Sequence, residues 1–212
     1  LGLVGSEMCI RDRMDTILWG PGGSGKSWLA LAIAYSLHSG EPFLGLEPMD
    51  CGSTLYLDWE TNADEMARRL GFITDEQFLF YKPMTAPIID SLDYLHDLIL
   101  ETKPLLIVID SLARAAGGQV IEGEAISQVF AAIRSLNCTT LIIHHPPKAA
   151  DNGPYGSAYI LWLPRMVWEV QGKQGDDGII RGVLTNTKTN IARKRPPIAF
   201  ELCLEPVSIP HR

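Results

Sequence analysis

The chain has 212 residues, of which 46% are apolar and 20% are charged, and its formal net charge is −7 at pH 7. This length is enough for one good α/β core and too short for two full domains with linkers. No apolar run approaches the roughly 18 residues that a membrane-spanning helix requires, so we expect no contact with a membrane. The negative charge argues against a chain that coats nucleic acid by bulk attraction, but it leaves room for a local basic loop.

The first 13 residues, L-G-L-V-G-S-E-M-C-I-R-D-R, resemble the read-through of a sequencing adapter at the edge of a metagenomic reading frame. We therefore interpret residues 1–13 as a non-native leader and residues 14–212 as a single domain. The four cysteines show no C-x-x-C spacing, and Cys138 and Cys203 lie in apolar sequence. Buried, reduced thiols in a cytoplasmic protein are the expectation.

A glycine-rich segment, G-P-G-G-S-G-K-S, follows the short apolar run Thr16–Trp19 and opens into an apolar helical pattern from Trp28 to about Ser39, where Gly40 stops it. Strand, glycine-rich turn and helix in this order are the context of a phosphate-binding loop. The glycines let successive backbone N–H groups point at an anion, and the helix adds its positive amino end. The predicted nucleotide-binding residues are Gly20, Pro21, Gly22, Gly23, Ser24, Gly25, Lys26, Ser27 and Trp28, with Lys26 on the β- and γ-phosphates and Ser27 on Mg²⁺.

Apolar strands alternate with amphipathic helices through the first two thirds of the chain, and three strands finish it. This pattern predicts an α/β fold with a mostly parallel sheet flanked by helices and a C-terminal antiparallel extension. Asn62 is predicted to cap the second helix, with Glu65 completing a capping box. The predicted strands are Thr16–Trp19, Ser53–Trp59, Phe78–Tyr81, Leu105–Asp110, Thr139–His144, Arg165–Val170, Ile179–Thr187 and Ile198–Leu204; the predicted helices after the first are Ala63–Leu70, Ser91–Thr102, Glu124–Leu136 and one or two turns in Ser157–Leu163.

Carboxylates end two of the predicted strands. Asp110 ends the most apolar one, where a Walker B aspartate would orient the Mg²⁺ water shell and the Ser27 hydroxyl. Glu60, just beyond the strand Ser53–Trp59, is our candidate general base, because a carboxylate at this sheet edge can polarise the water that attacks a γ-phosphate. Asp58 is the competing residue, on the same strand face. Ser111, next to Asp110, could be a helix cap and no more.

His144 and His145 end the strand that begins at Thr139. Consecutive strand residues face opposite ways, so we expect only one of them to donate a hydrogen bond to a γ-phosphate. We discount zinc because no further Cys or His has ligand spacing nearby. The basic groups of the C-terminal part could reach a neighbouring subunit's nucleotide, could touch nucleic-acid phosphates, or could be solvated charges. They are Arg165, Lys188, Arg193, Lys194 and Arg195.

Six motifs in a fixed order make the chain resemble the RecA-like P-loop ATPases. More narrowly it resembles the RepA-type hexameric replicative helicases of the AAA_25 group, with DnaB-type helicases and RadA/KaiC-type proteins as wider relatives. The resemblance covers about Thr16–Leu204. The motifs are G-P-G-G-S-G-K-S, L-Y-L-D-W-E ending at Glu60, L-L-I-V-I-D-S ending at Ser111, L-I-I-H-H-P-P-K ending at Lys148, Y-G-S-A ending at Ala158, and T-K-T-N ending at Asn190.

The resemblance implies that Lys26 and Ser27 bind phosphate and Mg²⁺, that Asp110 serves Mg²⁺, that Glu60 is the catalytic base and that His145 senses the γ-phosphate. It also implies that the strand from Thr139 lies between the strands that carry the Walker A and Walker B motifs.

Across a subunit boundary, the resemblance implies that Arg165 acts as an arginine finger and that Lys188 makes a second contact with the neighbour's nucleotide. The loops Ala113–Gly123 and Lys148–Gly156 correspond to those that face the central channel of a ring, where single-stranded DNA passes.

These residues favour an ATPase that hydrolyses ATP at the subunit interfaces of a homo-oligomeric, hexameric ring, as a DNA helicase or a related replication or recombination protein. Two alternatives stay open. One is a nucleotide-switched assembly or regulatory module without unwinding activity. The other, less favoured, is a small-molecule P-loop kinase, which would need an arginine-bearing lid and a substrate pocket that the β-rich C-terminal part does not clearly offer.

Overall fold

An eight-stranded sheet forms the centre of the computed structural model, which describes residues 13–118, 123–145, 159–190 and 193–204. The strand order is β3-β2-β4-β5-β1-β6-β7-β8. β1 to β6 are mutually parallel, and β6, β7 and β8 form an antiparallel meander at one end. The strands are β1 (Asp15–Trp19), β2 (Thr54–Asp58), β3 (Leu79–Pro83), β4 (Leu106–Asp110), β5 (Thr139–His144), β6 (Met166–Gln174), β7 (Ile180–Thr189) and β8 (Ile198–Leu202).

The central strands are apolar on both faces because helices cover both. Ile17 packs into one hydrophobic core and its neighbour Leu18 into the other, as the alternation of strand side chains requires. The helices are α1 (Lys26–Ser39), α2 (Ala63–Leu70), α3 (Leu92–Thr102), α4 (Leu112–Ala115), α5 (Gly123–Ser135) and α6 (Tyr159–Trp162). Helices α1 and α2 contribute to the first core with the meander, and α3, α4 and α5 to the second.

This architecture confirms the predicted fold class, including the antiparallel C-terminal strands. β5 lies between β1 and β4, the position that the family resemblance implied. Helix α1 ends at Gly40 in a left-handed conformation, as predicted. Asn62 caps α2 by accepting a hydrogen bond from the Glu65 N–H at 2.9 Å. In the part of the chain that the structure describes, the Glu65 carboxylate pairs with Arg69 and does not complete the predicted capping box.

Three local expectations need correction. The segment from Ala113, predicted as an irregular loop, begins inside helix α4. β6 runs four residues past Val170, because its pairing with β7 continues beyond the parallel sheet. Cys203 is exposed and Cys138 only half-buried, so neither is the fully buried thiol that the apolar sequence around it suggested.

Part of the predicted organisation lies outside the described residues. This holds for the leader up to residue 12, for the loop Lys148–Gly156 and for the motif ending at Ala158. Within the described ranges, no helix has the length and apolarity needed to cross a bilayer.

Candidate nucleotide site

The phosphate loop, Gly20–Ser27, joins the carboxyl end of β1 to the amino end of α1. Gly25 caps α1 with φ +93°, a conformation that L side chains rarely adopt, and its carbonyl accepts the N–H of Leu29 at 2.8 Å. The loop therefore leads directly into the amino terminus of α1, where the first N–H groups of a helix have no partner within the helix. Such groups, together with the helix dipole, favour an anion.

The β6–β7 hairpin supports this loop from the side of the antiparallel extension. A Cβ added to Gly172 would lie 2.4 Å from the carbonyl oxygen of Ser24, and one added to Gly20 would lie 2.2 Å from that of Val170. These contacts are closer than any side chain tolerates, so the backbones of loop and hairpin touch directly. The position of the phosphate loop thus depends on the meander as well as on β1.

Lys26 is almost fully buried and turns back onto its own loop. Its ammonium donates to the carbonyl oxygens of Gly20 and Pro21, both at 2.7 Å, and to the Ser24 hydroxyl at 3.3 Å. Burial lowers the pKa of Lys26 to about 8, an effect that the negative charge of Asp110 partly opposes. At neutral pH the ammonium keeps its charge, and a triphosphate would offer stronger acceptors than these carbonyls.

Asp110 ends β4 and meets the phosphate loop through Ser27. Its Oδ2 accepts hydrogen bonds from the Ser27 hydroxyl at 2.8 Å and from the Tyr56 hydroxyl at 2.7 Å. Desolvation raises the pKa of this buried carboxyl, and the two hydrogen bonds oppose that rise. Its Oδ1 is buried and has no hydrogen-bond partner among the described residues.

This donor set fits Mg²⁺. A hard cation takes oxygen ligands and keeps several waters, and the site offers the Ser27 hydroxyl beside a carboxylate with one unused oxygen. Ser27 would bind the ion and Asp110 would hold its water shell. When bound, the ion would neutralise charge that develops on the phosphates.

Glu60 lies two residues beyond the end of β2, and it is held by Ser111, the residue after β4, and by Arg114 of α4. Its Oε1 accepts the Ser111 hydroxyl at 2.5 Å, and its Oε2 pairs with the Arg114 guanidinium at 3.2 Å. The side chain stays 28% exposed, and its charge affects the pKa values of both Asp110 and His145. Ser111 occupies the N-cap position of α4, but its hydroxyl donates to Glu60 and makes no cap hydrogen bond.

Asp58, the competing candidate for the general base, has different hydrogen-bond partners from Glu60. It is buried, and its Oδ1 accepts the backbone N–H groups of Glu60 at 2.7 Å and Thr61 at 3.0 Å. Its Oδ2 accepts the hydroxyl of Thr61 and, at 3.1 Å, that of Tyr81. Both oxygens are therefore used in shaping the turn that presents Glu60, which favours Glu60 as the base.

The two histidines separate as strand alternation requires. His144 is fully buried opposite Trp19 of β1, whereas His145 is half-buried and lines the cleft of the phosphate loop. Desolvation and the nearby Lys26 charge lower the pKa of His145, which favours the neutral imidazole, although the Glu60 charge partly opposes this shift. A neutral imidazole can donate one hydrogen bond to a phosphate oxygen.

The cleft itself has a volume of about 260 Å³ and opens between the phosphate loop, α2 and the meander. Trp28, predicted to touch nucleotide, lies in its wall and packs edge-on against Phe72. Arg69 of α2 also lines the cleft, and no sequence argument identified it. Its position in the last turn of α2 gave only the signal of a helix-terminal charge.

Arg165 and Lys188 lie outside the cleft of the phosphate loop. Arg165 immediately precedes β6, and its N–H donates to the carbonyl of Asp15 at the start of β1. The phosphate loop follows the end of β1, so these two basic residues occupy the opposite edge of the sheet from their own nucleotide cleft. Arg165 is exposed. The Lys188 ammonium donates to the carbonyls of Trp162 at 2.5 Å and Pro164 at 2.8 Å, within the segment that leads to Arg165.

Arg134 reinforces the same segment. Its guanidinium donates to the carbonyl of Leu163 at 2.6 Å and pairs with the buried carboxylate of Asp15 at 2.8 Å. Cations from α5 and β7 thus hold three successive carbonyls ahead of Arg165. Two further predicted basic residues, Arg193 and Lys194, are exposed, and Arg195 is half-exposed.

A glycine-rich loop joins a parallel strand to a helix and carries Lys26 and Ser27. Asp110 ends β4, which is separated from β1 by β5. Together these features define a P-loop nucleotide-binding protein of the α/β class. The model of the AAA domain family (AAA_25) matches residues 9–151. The chain belongs to this family of P-loop ATPases. No match was found among curated proteins.

Proposed function

We propose that the chain is the ATP-hydrolysing domain of a ring-forming, cytoplasmic homo-oligomer, a DNA helicase or a replication or recombination ATPase that acts on single-stranded DNA. The observation that carries the proposal is the convergence of Lys26, Ser27 and His145 on one cleft, with Asp110 hydrogen-bonded to Ser27. Each of these groups suits one part of a Mg²⁺–triphosphate.

Hydrolysis in this proposal begins with ATP in the phosphate loop. The Lys26 ammonium exchanges its loop carbonyls for β- and γ-phosphate oxygens, and His145 donates to the γ-phosphate. Glu60 holds the attacking water and accepts its proton. Arg69 adds a positive charge in the wall of the cleft. Ser27 and Asp110 would hold Mg²⁺, which would supply electrostatic stabilisation of the phosphates.

Arg165 is exposed and lies at the opposite edge of the sheet from the nucleotide cleft of its own chain. This placement suits a residue that acts on a neighbour, because in a closed ring one face of each subunit meets the other face of the next. The proposal therefore assigns Arg165 to the nucleotide of the adjacent subunit, and Lys188 to the same boundary. Arg165 lies beyond residue 151, where the family match ends.

The test is the ATPase rate measured against protein concentration, with and without single-stranded DNA. We expect the rate per chain to rise with concentration as rings assemble, and to rise further with DNA. Assembly with ATP but a rate indifferent to DNA would favour the nucleotide-switched module. Transfer of phosphate to a small molecule, with little dependence on Arg165, would favour a kinase.

A further inference from the structure

Tyr56 is a buried tyrosine in the middle of β2, on the strand face that Asp58 shares. Its ring packs in the core beneath α1, beside Tyr81 with 6.4 Å between the ring centroids. Burial and the nearby Asp110 raise the pKa of Tyr56 well above its ordinary value, so the phenol keeps its proton. A buried hydroxyl needs a partner, and this one donates to Asp110 Oδ2 at 2.7 Å.

The hydrogen bonds to Asp110 are unevenly divided between its two oxygens. Oδ2 receives both donors, the hydroxyls of Tyr56 and Ser27, whereas Oδ1 is buried without a partner in the described part of the chain. An unpaired buried carboxylate oxygen is costly. Two donors on the same oxygen fix the carboxylate plane and leave a definite oxygen for another ligand.

Of the two donors, only Tyr56 is independent of the phosphate loop. Ser27 belongs to the loop that would rearrange around Mg²⁺ and phosphate. Tyr56 instead lies in β2, directly opposite Val108 of β4, the strand that also carries Asp110. The anchor for Asp110 therefore comes from the rigid sheet. Partners of this kind, one step removed from a metal, orient its ligands.

We propose that Tyr56 is a positioning residue for Mg²⁺: its hydroxyl anchors Asp110 Oδ2 so that Oδ1 remains available to the water shell of the ion. This inference rests on the proposed function, since it presumes that a nucleotide–Mg²⁺ complex binds here. Tyr56 makes no contact with substrate in this role and acts through Asp110.

The experiment replaces the hydroxyl and keeps the ring. Tyr56→Phe and wild-type protein are loaded with a fluorescent, non-hydrolysable ATP analogue, and Mg²⁺ is titrated from a metal-free solution. We expect the half-saturating Mg²⁺ concentration to rise about tenfold in Tyr56→Phe, with little change in analogue affinity in the presence of a chelator. ATPase activity at limiting Mg²⁺ should fall and should recover at saturating Mg²⁺.

Tyr81→Phe is the matched control, because it removes a neighbouring hydroxyl that bonds to Asp58 instead of Asp110. Its Mg²⁺ titration should match wild type. In an Asp110→Asn background, adding Tyr56→Phe should cause no further change in half-saturation, which separates this role from general loss of stability.

An unchanged Mg²⁺ titration in Tyr56→Phe, alongside a wild type that binds the analogue and responds to Mg²⁺, would overturn the role of Tyr56 and leave the proposed function standing. An equal shift in Tyr81→Phe would also overturn it, since a nonspecific effect of losing a hydroxyl would then suffice. A wild type that binds no nucleotide would overturn the proposed function and this inference together.

Discussion

The ammonium of Lys26 occupies a dry environment, 3% exposed and surrounded by its own loop carbonyls. Its pKa is lowered to about 8 by burial, so in the nucleotide-free protein it loses its proton in mildly alkaline solution. ATP phosphates favour the charged form and must raise this pKa. By linkage, binding then takes up a proton above pH 8 and weakens as the pH rises.

We therefore predict that the affinity for ATP falls by up to about tenfold per pH unit above pH 8, measured with a fluorescent ATP analogue between pH 7.5 and 9.5. Lys26→Arg is the control, because a guanidinium keeps its proton across this range; its affinity, whatever its absolute value, should be nearly independent of pH. A flat profile in the wild type would show that Lys26 does not titrate there.

Glu60 and Arg114 form an ion pair that competes with the proposed role of Glu60. Arg114 is 62% exposed, and the pair is worth at most about 1 kcal/mol at such a surface. Removing Arg114 leaves Oε2 free for water while Ser111 still holds Oε1. We predict that Arg114→Ala raises the DNA-independent ATPase rate by up to about fivefold.

Arg68→Ala is a suitable control for this change, because Arg68 is an exposed arginine of α2 whose guanidinium donates to the Asp64 carbonyl. Steady-state ATPase assays at saturating Mg²⁺ and ATP would measure both variants. A tenfold loss in Arg114→Ala would mean that the guanidinium assists the reaction instead of restraining Glu60.

The element that governs the phosphate loop from outside is the β6–β7 hairpin. Gly172 touches the loop through backbone alone, and a Cβ there would meet the Ser24 carbonyl at 2.4 Å. Neither partner is a flexible side chain, so one backbone must move. We predict that Gly172→Ala lowers the affinity for ATP at least about tenfold while the sheet remains folded, as measured by nucleotide titration and circular dichroism.

Gly71→Ala provides the comparison, since its added Cβ would lie 3.5 Å from its nearest neighbour, the Arg68 carbonyl, an ordinary contact. It should bind ATP as wild type does. Equal affinity in both variants would show that the hairpin does not determine where the loop lies.

Helices and strands were predicted well from the sequence where one physical rule dominated. Apolar runs located every strand of the parallel sheet, and Gly40 and Asn62 marked helix ends through their own backbone preferences. The length of β6 was missed because hairpin pairing with β7, not local apolarity, extends it. Helix α4 was missed because its small, mixed sequence carries no clear period.

The side-chain hydrogen bonds of the site could not be predicted from the pattern of apolar residues in the sequence. Tyr56 and Asp110 are 54 positions apart, and Ser111 and Glu60 are 51. Such contacts depend on which strands are neighbours in the sheet, and the apolar pattern of one strand does not identify its partners. Residue types at strand ends identified Glu60, Asp110 and His145 as candidates, but Arg69 and Arg114 gave no signal beyond their charge.

In the whole molecule, the nucleotide cleft lies at the edge of the sheet where β1 ends, and Arg165 lies at the opposite edge, where β6 begins. Lys188 and Arg134 donate hydrogen bonds to the carbonyls of the segment before Arg165. The backbone that leads to Arg165 is therefore fixed in position. In a ring, this arrangement would make each active site from two chains, with Glu60 from one and Arg165 from the next. Neither chain would then hydrolyse ATP well by itself.

Mixing two inactive variants tests this shared site most directly. Arg165→Ala should bind ATP without turnover, and so should Glu60→Gln; mixed in equal amounts, they should rebuild about a quarter of the interfaces with both residues intact. We expect ATPase activity to reappear in the mixture and to be greatest near equal proportions. Co-assembled rings that remain inactive at every ratio would contradict it.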